Sequence, residues 1–119
     1  MKTILVVDDF AMTRFATCLP LKLADYRVVE ARSTNEALRY LNTTDTSIDL
    51  IVTDLHMPGI TGAELIQVLR KSVKYKCMPI LVVAASKREN EIQETGANAF
   101  VPKPFMVAEL LDMVEKLLC

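Results

Sequence analysis

The chain has no excess of positive charge: 14 Lys and Arg stand against 15 Asp and Glu, a formal net charge of −1. Nucleic-acid binders usually carry a basic excess, so that class is disfavoured. No apolar run approaches the ~20 residues needed to span a bilayer, which argues against a membrane protein. The opening stretch "MKTILVVDD" has one Lys and a short apolar run, but two acids follow at once and no small-residue cleavage site is visible. It reads as a strand and not as a signal peptide. Cysteine is sparse. Cys18, Cys77 and Cys119 are odd in number, widely spaced and without a CxxC pair, as suits free thiols in a reducing cytosol and hence a cytoplasmic protein. Cys18 and Cys77 are expected to act as small hydrophobes near a core. Internal repeats, low-complexity tracts and linkers are all absent.

What is present suffices for one domain and not for two: 119 residues, 51% of them hydrophobic. A single domain over 1–119 is expected. Five short β-branched runs alternate with longer segments of helical period. They are Thr3–Val7, Arg27–Ala31, Asp49–Thr53, Pro79–Ala85 and Ala99–Pro102. The first, third and fourth are nearly continuous in Val, Ile and Leu, the mark of parallel strands covered on both faces.

The segments between them carry helix signals. Ser33 with Glu36, Thr61 with Glu64, and Ser86 with Glu89 fit the capping-box spacing. Gly96 stands where a fourth helix should stop. A last helix is expected over about Met106–Leu118, with Val107, Leu110, Leu111, Val114, Leu117 and Leu118 as a one-sided stripe for core packing. The first helix, about Ala11–Ala24, contains Pro20, which removes the bond to the Ala16 carbonyl and is expected to kink it. The order βαβαβαβαβα predicts an α/β fold, a doubly wound, flavodoxin-like five-stranded parallel sheet (βα)5 with strand order 2-1-3-4-5.

In an open parallel α/β sheet, ligands bind beyond the carboxyl ends of the strands, where the strand order reverses. The first strand ends in Asp8 and Asp9, the third in Asp54 and the fifth in Lys103. With the first and third strands adjacent, three carboxylates converge. Three such charges repel, and a hard divalent cation relieves the repulsion; Mg2+ takes oxygen ligands and keeps open positions for water or phosphate. A metal and an ammonium together suit a transferred phosphoryl group. A carboxylate between them is then a nucleophile, forming an aspartyl phosphate. Asp54 fills that place, and the Pro58–Gly59 turn leaves room beside it. Taken singly, each residue has a plainer account: Asp8 and Asp9 as a helix cap and a first-turn acid, Asp54 as a turn starter, Lys103 as a solvated lysine. Three chance placements at equivalent strand ends are a poorer explanation than one site.

The stretches "ILVVDDF", "DLIVTDLHMPGITGAEL" and "GANAFVPKPF" resemble the receiver domain of two-component response regulators, with the single-domain chemotaxis (CheY-like) type nearest. The resemblance covers essentially the whole chain. It implies that Asp8 and Asp9 match the acidic pair that holds Mg2+, one of them through water, that Asp54 is the phosphoacceptor, and that the backbone carbonyl of His56 binds the metal. Imidazole is a poor ligand for that ion. It implies that Lys103 contacts the phosphate and that the Lys103–Pro104 bond is cis. It also implies a sensor histidine kinase or phosphotransfer protein as donor. A downstream protein target would be met on the face of the fourth helix, fifth strand and last helix. The chain ends just after the last helix, so no output domain is expected, and a monomer or weak dimer is anticipated.

Two departures stand out. Where the family normally has Ser or Thr at the end of the fourth strand, this chain has Ala84, which cannot donate a hydrogen bond. Ser86 has a hydroxyl, but a capping role is its simpler account. From Ala84 to Gly96 the chain is about three residues shorter than the chemotaxis type, nearly one helical turn, so the fourth helix should be short or irregular. The aromatic switch position holds Phe100, which can pack but has no hydroxyl.

The resemblance therefore implies a stand-alone phospho-receiver, with a constitutive protein-interaction module as the alternative favoured by Ala84 and the short fourth helix. It is expected not to be an enzyme beyond its own phosphorylation and dephosphorylation. An aspartate-nucleophile phosphatase would want a second Asp where His56 stands, and a substrate cap. A flavin-binding relative of this topology would want a Ser, Thr or Gly-rich loop where the chain reads "DDFAMTR".

Overall fold

The computed structural model of the chain describes residues 1–85 and 95–119. In order these form β1 (Thr3–Val7), α1 (Ala11–Leu23), β2 (Arg27–Ala31), α2 (Thr34–Thr43), β3 (Leu50–Thr53), α3 (Gly62–Lys71), β4 (Ile80–Ala84), β5 (Ala99–Pro102) and the C-terminal helix α4 (Val107–Leu118). The strands make one parallel sheet in the order β2-β1-β3-β4-β5. This is the expected doubly wound arrangement. The expected fourth helical segment, with its cap at Ser86 and Glu89, lies outside the described residues.

Residues along the central strands alternate between two apolar layers. Leu5, Val7, Ile51, Ile80, Val82 and Ala84 face α2 and α3. Ile4, Val6, Leu50, Val52, Leu81 and Val83 face α1 and α4. Both faces of the sheet are covered, which is why these strands are apolar at consecutive positions and not at alternate ones. The α4 stripe splits accordingly: Leu110 and Val114 are fully buried, and Leu111, Leu117 and Leu118 are partly so. Val107 is an exception, half-exposed at the start of the helix.

β1, β2 and β5 have the expected bounds, and β3 and β4 fall slightly inside theirs. Pro79 has no N–H to donate to the ladder and precedes β4, while Ala85 is an exposed bend after it. Asp49 precedes β3; its carboxylate takes the Thr3 amide at 2.8 Å. α1 continues through Pro20 to Leu23. It closes with Asp25 in the left-handed region, φ 69°, where the Asp25 amide reaches Lys22 O and the Tyr26 amide reaches Leu21 O, both at 3.1 Å. That is the Schellman bond pattern, with Asp in the place glycine usually takes.

Of the predicted capping boxes, Thr61 and Glu64 form a complete one. Ser33 caps the Glu36 amide at 3.0 Å, but the Glu36 carboxylate reaches back to the Arg32 amide. Asp8 and Asp9 are not the cap of α1, because that position is Phe10.

Cys18 is buried under α1 as expected, and burial, with Glu30 adding to it, pushes its thiol up to about 12. Cys77 corrects the expectation: it is exposed in the connection between α3 and β4, as is Cys119 at the end of the chain. The reactive form of a thiol is the thiolate. Alkylation of the folded protein at pH 8 should therefore modify Cys77 and Cys119 while Cys18 reacts only after unfolding. Mass spectrometry that found Cys18 modified at a comparable rate would contradict this burial. No helix among the described residues is long and apolar enough to cross a membrane.

Candidate functional site

The sheet register sets the site. Val7 pairs with Thr53, so the residues that follow, Asp8 and Asp54, leave neighbouring strands side by side. The Asp8 amide is held by Ala31 O and the Asp54 amide by Val7 O, each at 3.1 Å. One carboxylate oxygen from each of Asp8, Asp9 and Asp54 lies within 4.8 Å of the others. Lys103 follows β5, its amide bonded to Ala84 O at 2.9 Å, and the Lys103–Pro104 peptide is cis. Its Nζ stands 3.0 Å from Asp8 Oδ2 and 3.0 Å from Asp54 Oδ2. All four side chains read from the sequence thus meet at one end of the sheet.

Their surroundings differ. Asp8 is buried, Asp54 and Lys103 are mostly enclosed, and Asp9 is exposed. Asp54 Oδ1 accepts the His56 amide at 3.2 Å, and the His56 side chain is exposed. The Asp54 carbonyl accepts the Thr53 hydroxyl at 2.8 Å. Across from it, Gly62 opens α3 so close that a Cβ there would overlap the Asp54 carbonyl oxygen. Burial by itself would lower the Lys103 pKa, but the hydrogen bonds and charges of Asp54 and Asp8 outweigh it and hold the pKa above its ordinary value. The group is an ammonium throughout the neutral range.

Three carboxylates around one ammonium leave an excess of two negative charges in a partly dry pocket. The donors are all hard oxygens, without thiolate or imidazole. That set fits a hard divalent cation such as Mg2+ and is unsuited to a soft one.

Ala84 is fully buried at the end of β4, against the layer shared with α2 and α3, and brings no hydroxyl to the site. Phe100 is partly buried against the same layer. Ser86 lies outside the described residues. Two participants escaped the sequence reading. Thr13 donates to Asp8 Oδ2 at 2.6 Å, and Arg14 ties the Asp8 carbonyl at 2.9 Å to Glu30 at 3.0 Å. Side chains of a helix lean toward its N-terminus, so first-turn residues after an acidic strand end reach back over it. That lean was the available signal.

Comparison with known proteins agrees with this geometry. The family model described as the response regulator receiver domain matches residues 4–115. The chemotaxis protein CheY of Pseudomonas aeruginosa is 36% identical over 118 residues, covering 96% of this chain and 94% of that protein. The phosphate regulon transcriptional regulatory protein PhoB of the same species is 36% identical over 120 residues, but the match takes in 52% of its length. Among solved structures, the chemotaxis response regulator CheY4 of Vibrio cholerae has a TM-score of 0.89 at 31% identity, with 98% of each chain covered. The response regulator TrrA of Thermotoga maritima, solved in complex with Mg2+ and BeF, has a TM-score of 0.86 at 34% identity, covering 98% of this chain and 99% of that one.

Proposed function

The chain belongs to the response regulator receiver domain family, and from that premise we propose that it accepts a phosphoryl group on Asp54 and thereby changes its affinity for a protein partner. Receiver domains are signalling proteins, and in general they work between histidine kinases and downstream targets. The donor here is a sensor histidine kinase or a phosphotransfer protein, in the cytoplasm. The nearly full-length match to a chemotaxis protein supports a receiver that acts as a single unit over 1–119.

The observation that carries the proposal is the ammonium of Lys103 bridging Asp8 and Asp54 at 3.0 Å each, beside Asp9. Asp8, Asp9, Asp54 and the backbone carbonyl of His56 would hold Mg2+. The ion supplies charge neutralisation of the incoming phosphoryl oxygens and of the crowded acids. An Asp54 carboxylate oxygen forms the new O–P bond as the N–P bond of the donor phosphohistidine breaks, and the imidazole nitrogen keeps the electron pair. Lys103 shifts from the carboxylates to a phosphoryl oxygen, where its charge is matched in the loose transition state. The His56 amide on Asp54 Oδ1 keeps the nucleophile in a fixed orientation.

A second reading is favoured by one residue. Ala84 cannot supply the hydroxyl that would bond the phosphoryl group and draw the neighbouring backbone inward. A charge-assisted hydrogen bond contributes ~1.5–3 kcal/mol. Without it, the phosphorylation-driven shift toward the target-binding state is smaller by about one to two decades. In the limit, the β5 and α4 face around Phe100 acts as a constitutive interaction module.

A titration with beryllofluoride in the presence of Mg2+, followed by NMR, tests both. Saturable binding that EDTA abolishes, with resonance shifts at Phe100 and along α4, is expected. Absence of binding would sink the phospho-receiver reading, and binding without shifts on that face would leave the constitutive module.

A further inference from the structure

Asp8 is the most enclosed of the three acids, and donors already surround its carboxylate. Oδ1 accepts the Phe10 amide at 3.0 Å. Oδ2 accepts the Thr13 hydroxyl at 2.6 Å and the Lys103 ammonium at 3.0 Å. A carboxylate offers about four lone-pair positions, so these three donors leave one free. The Thr13 hydroxyl has a single proton and two acceptors in reach, Asp8 Oδ2 at 2.6 Å and Phe10 O at 3.1 Å. The shorter bond goes to the charged oxygen and is the stronger. Thr13 itself is anchored in α1, where its carbonyl accepts the Thr17 hydroxyl at 3.1 Å.

No other hydroxyl on this side of the site competes with Thr13 among the described residues. With Ala16, Ala85, Lys103 and Phe105 it borders a groove of about 520 Å3. On the function proposed above, Lys103 is drawn toward the phosphoryl group. Thr13 is then the donor that remains on Oδ2.

We propose that Thr13 is a positioning residue for the acidic site. Its hydroxyl fixes the Asp8 carboxylate so that an oxygen stays within reach of the Asp9 and Asp54 oxygens, and it thereby sets the affinity for Mg2+. Partners of this kind, bonded to a ligand and not to the metal, govern metal affinity because they prevent the ligand from rotating away. The inference rests on the reading of the acids as a Mg2+ site.

The experiment is calorimetric titration of MgCl2 into the metal-free chain and its Thr13 variants, with thermal unfolding in EDTA recorded alongside. Thr13→Val, which keeps the shape and removes the donor, should raise the Mg2+ Kd about tenfold, whereas Thr13→Ser should stay within about twofold of the parent. If the Val variant does not fold, Thr13→Ala carries the same expectation. Donor-less variants that bind Mg2+ as tightly as the parent, or more tightly, would overturn the assignment. A Ser variant as weak as Val would do the same, since shape and not the hydroxyl would then be responsible. Failure of the parent chain itself to take up Mg2+ would instead overturn the site reading on which the assignment rests.

Discussion

Asp54→Asn is expected to abolish labelling by a small phosphodonor such as acetyl phosphate. Asparagine keeps the volume and can still accept the His56 amide, so the turn after β3 should persist. It removes the anionic oxygen proposed to form the new bond to phosphorus. Loss of a nucleophile leaves only what the rest of the site contributes, so the rate should fall by more than about a thousandfold. The substitution gives up the Asp54–Lys103 ion pair but also lowers the excess negative charge, and Lys103 keeps Asp8 as a partner, so the chain should still fold. Intact-mass measurement after incubation with the donor and Mg2+ is the readout. A variant that gains the phosphate as readily as the parent would show that the nucleophile lies elsewhere.

Gly62→Ala should have the largest effect on the fold for the smallest change in chemistry. The added methyl would occupy the space of the Asp54 carbonyl oxygen, and what stands there is backbone. No rotamer change relieves it. Either the start of α3 must move, breaking the bond from the Gly62 amide to Leu55 O at 3.0 Å, or Asp54 must leave its place beside Lys103. Overpacking of this kind costs about 3 kcal/mol. For a domain of this size that is a fall in Tm of roughly 10 °C. Because the strain falls on the peptide of the proposed nucleophile, labelling at a temperature where the variant is still folded should also slow. A Tm within a degree or two of the parent would refute the close approach.

Much of this was readable beforehand, and the reasons are local. Continuous Val, Ile and Leu in β1, β3 and β4 announced strands covered on both faces, and the alternation of strand and helix signals fixed the parallel order. The acids followed from where each strand ends. Thr61 with Glu64 is a four-residue signal and formed as expected.

What escaped depends on contacts between distant residues. The sequence offers no glycine at Asp25, so the stop of α1 could not be placed from the residue that usually marks it. Cys77 is exposed because the connection before β4 runs over the surface, which a residue's hydrophobicity does not disclose. Arg70 is a further case. Its guanidinium bonds Met78 O at 2.7 Å, Lys76 O at 3.1 Å, Gly96 O at 2.9 Å and Asn98 Oδ1 at 2.7 Å, joining α3 to the approaches to β4 and β5. Nothing near Arg70 in the chain marks it as more than a charged residue on a helix. Thr13 and Arg14 likewise acquire their parts only once α1 is folded back over Asp8.

The three acids are unequally tethered. Asp8 is gripped by three donors and Asp54 by two, whereas Asp9 is exposed and bonds to no other described residue. Two of the three carboxylates are thus frozen when the chain folds, and their rotational freedom is already spent before a cation arrives. Among the described residues, Asp9 is the one acid of the three with no bond to fix its torsions, so the ordering left to occur on binding falls mainly on this side chain at the rim.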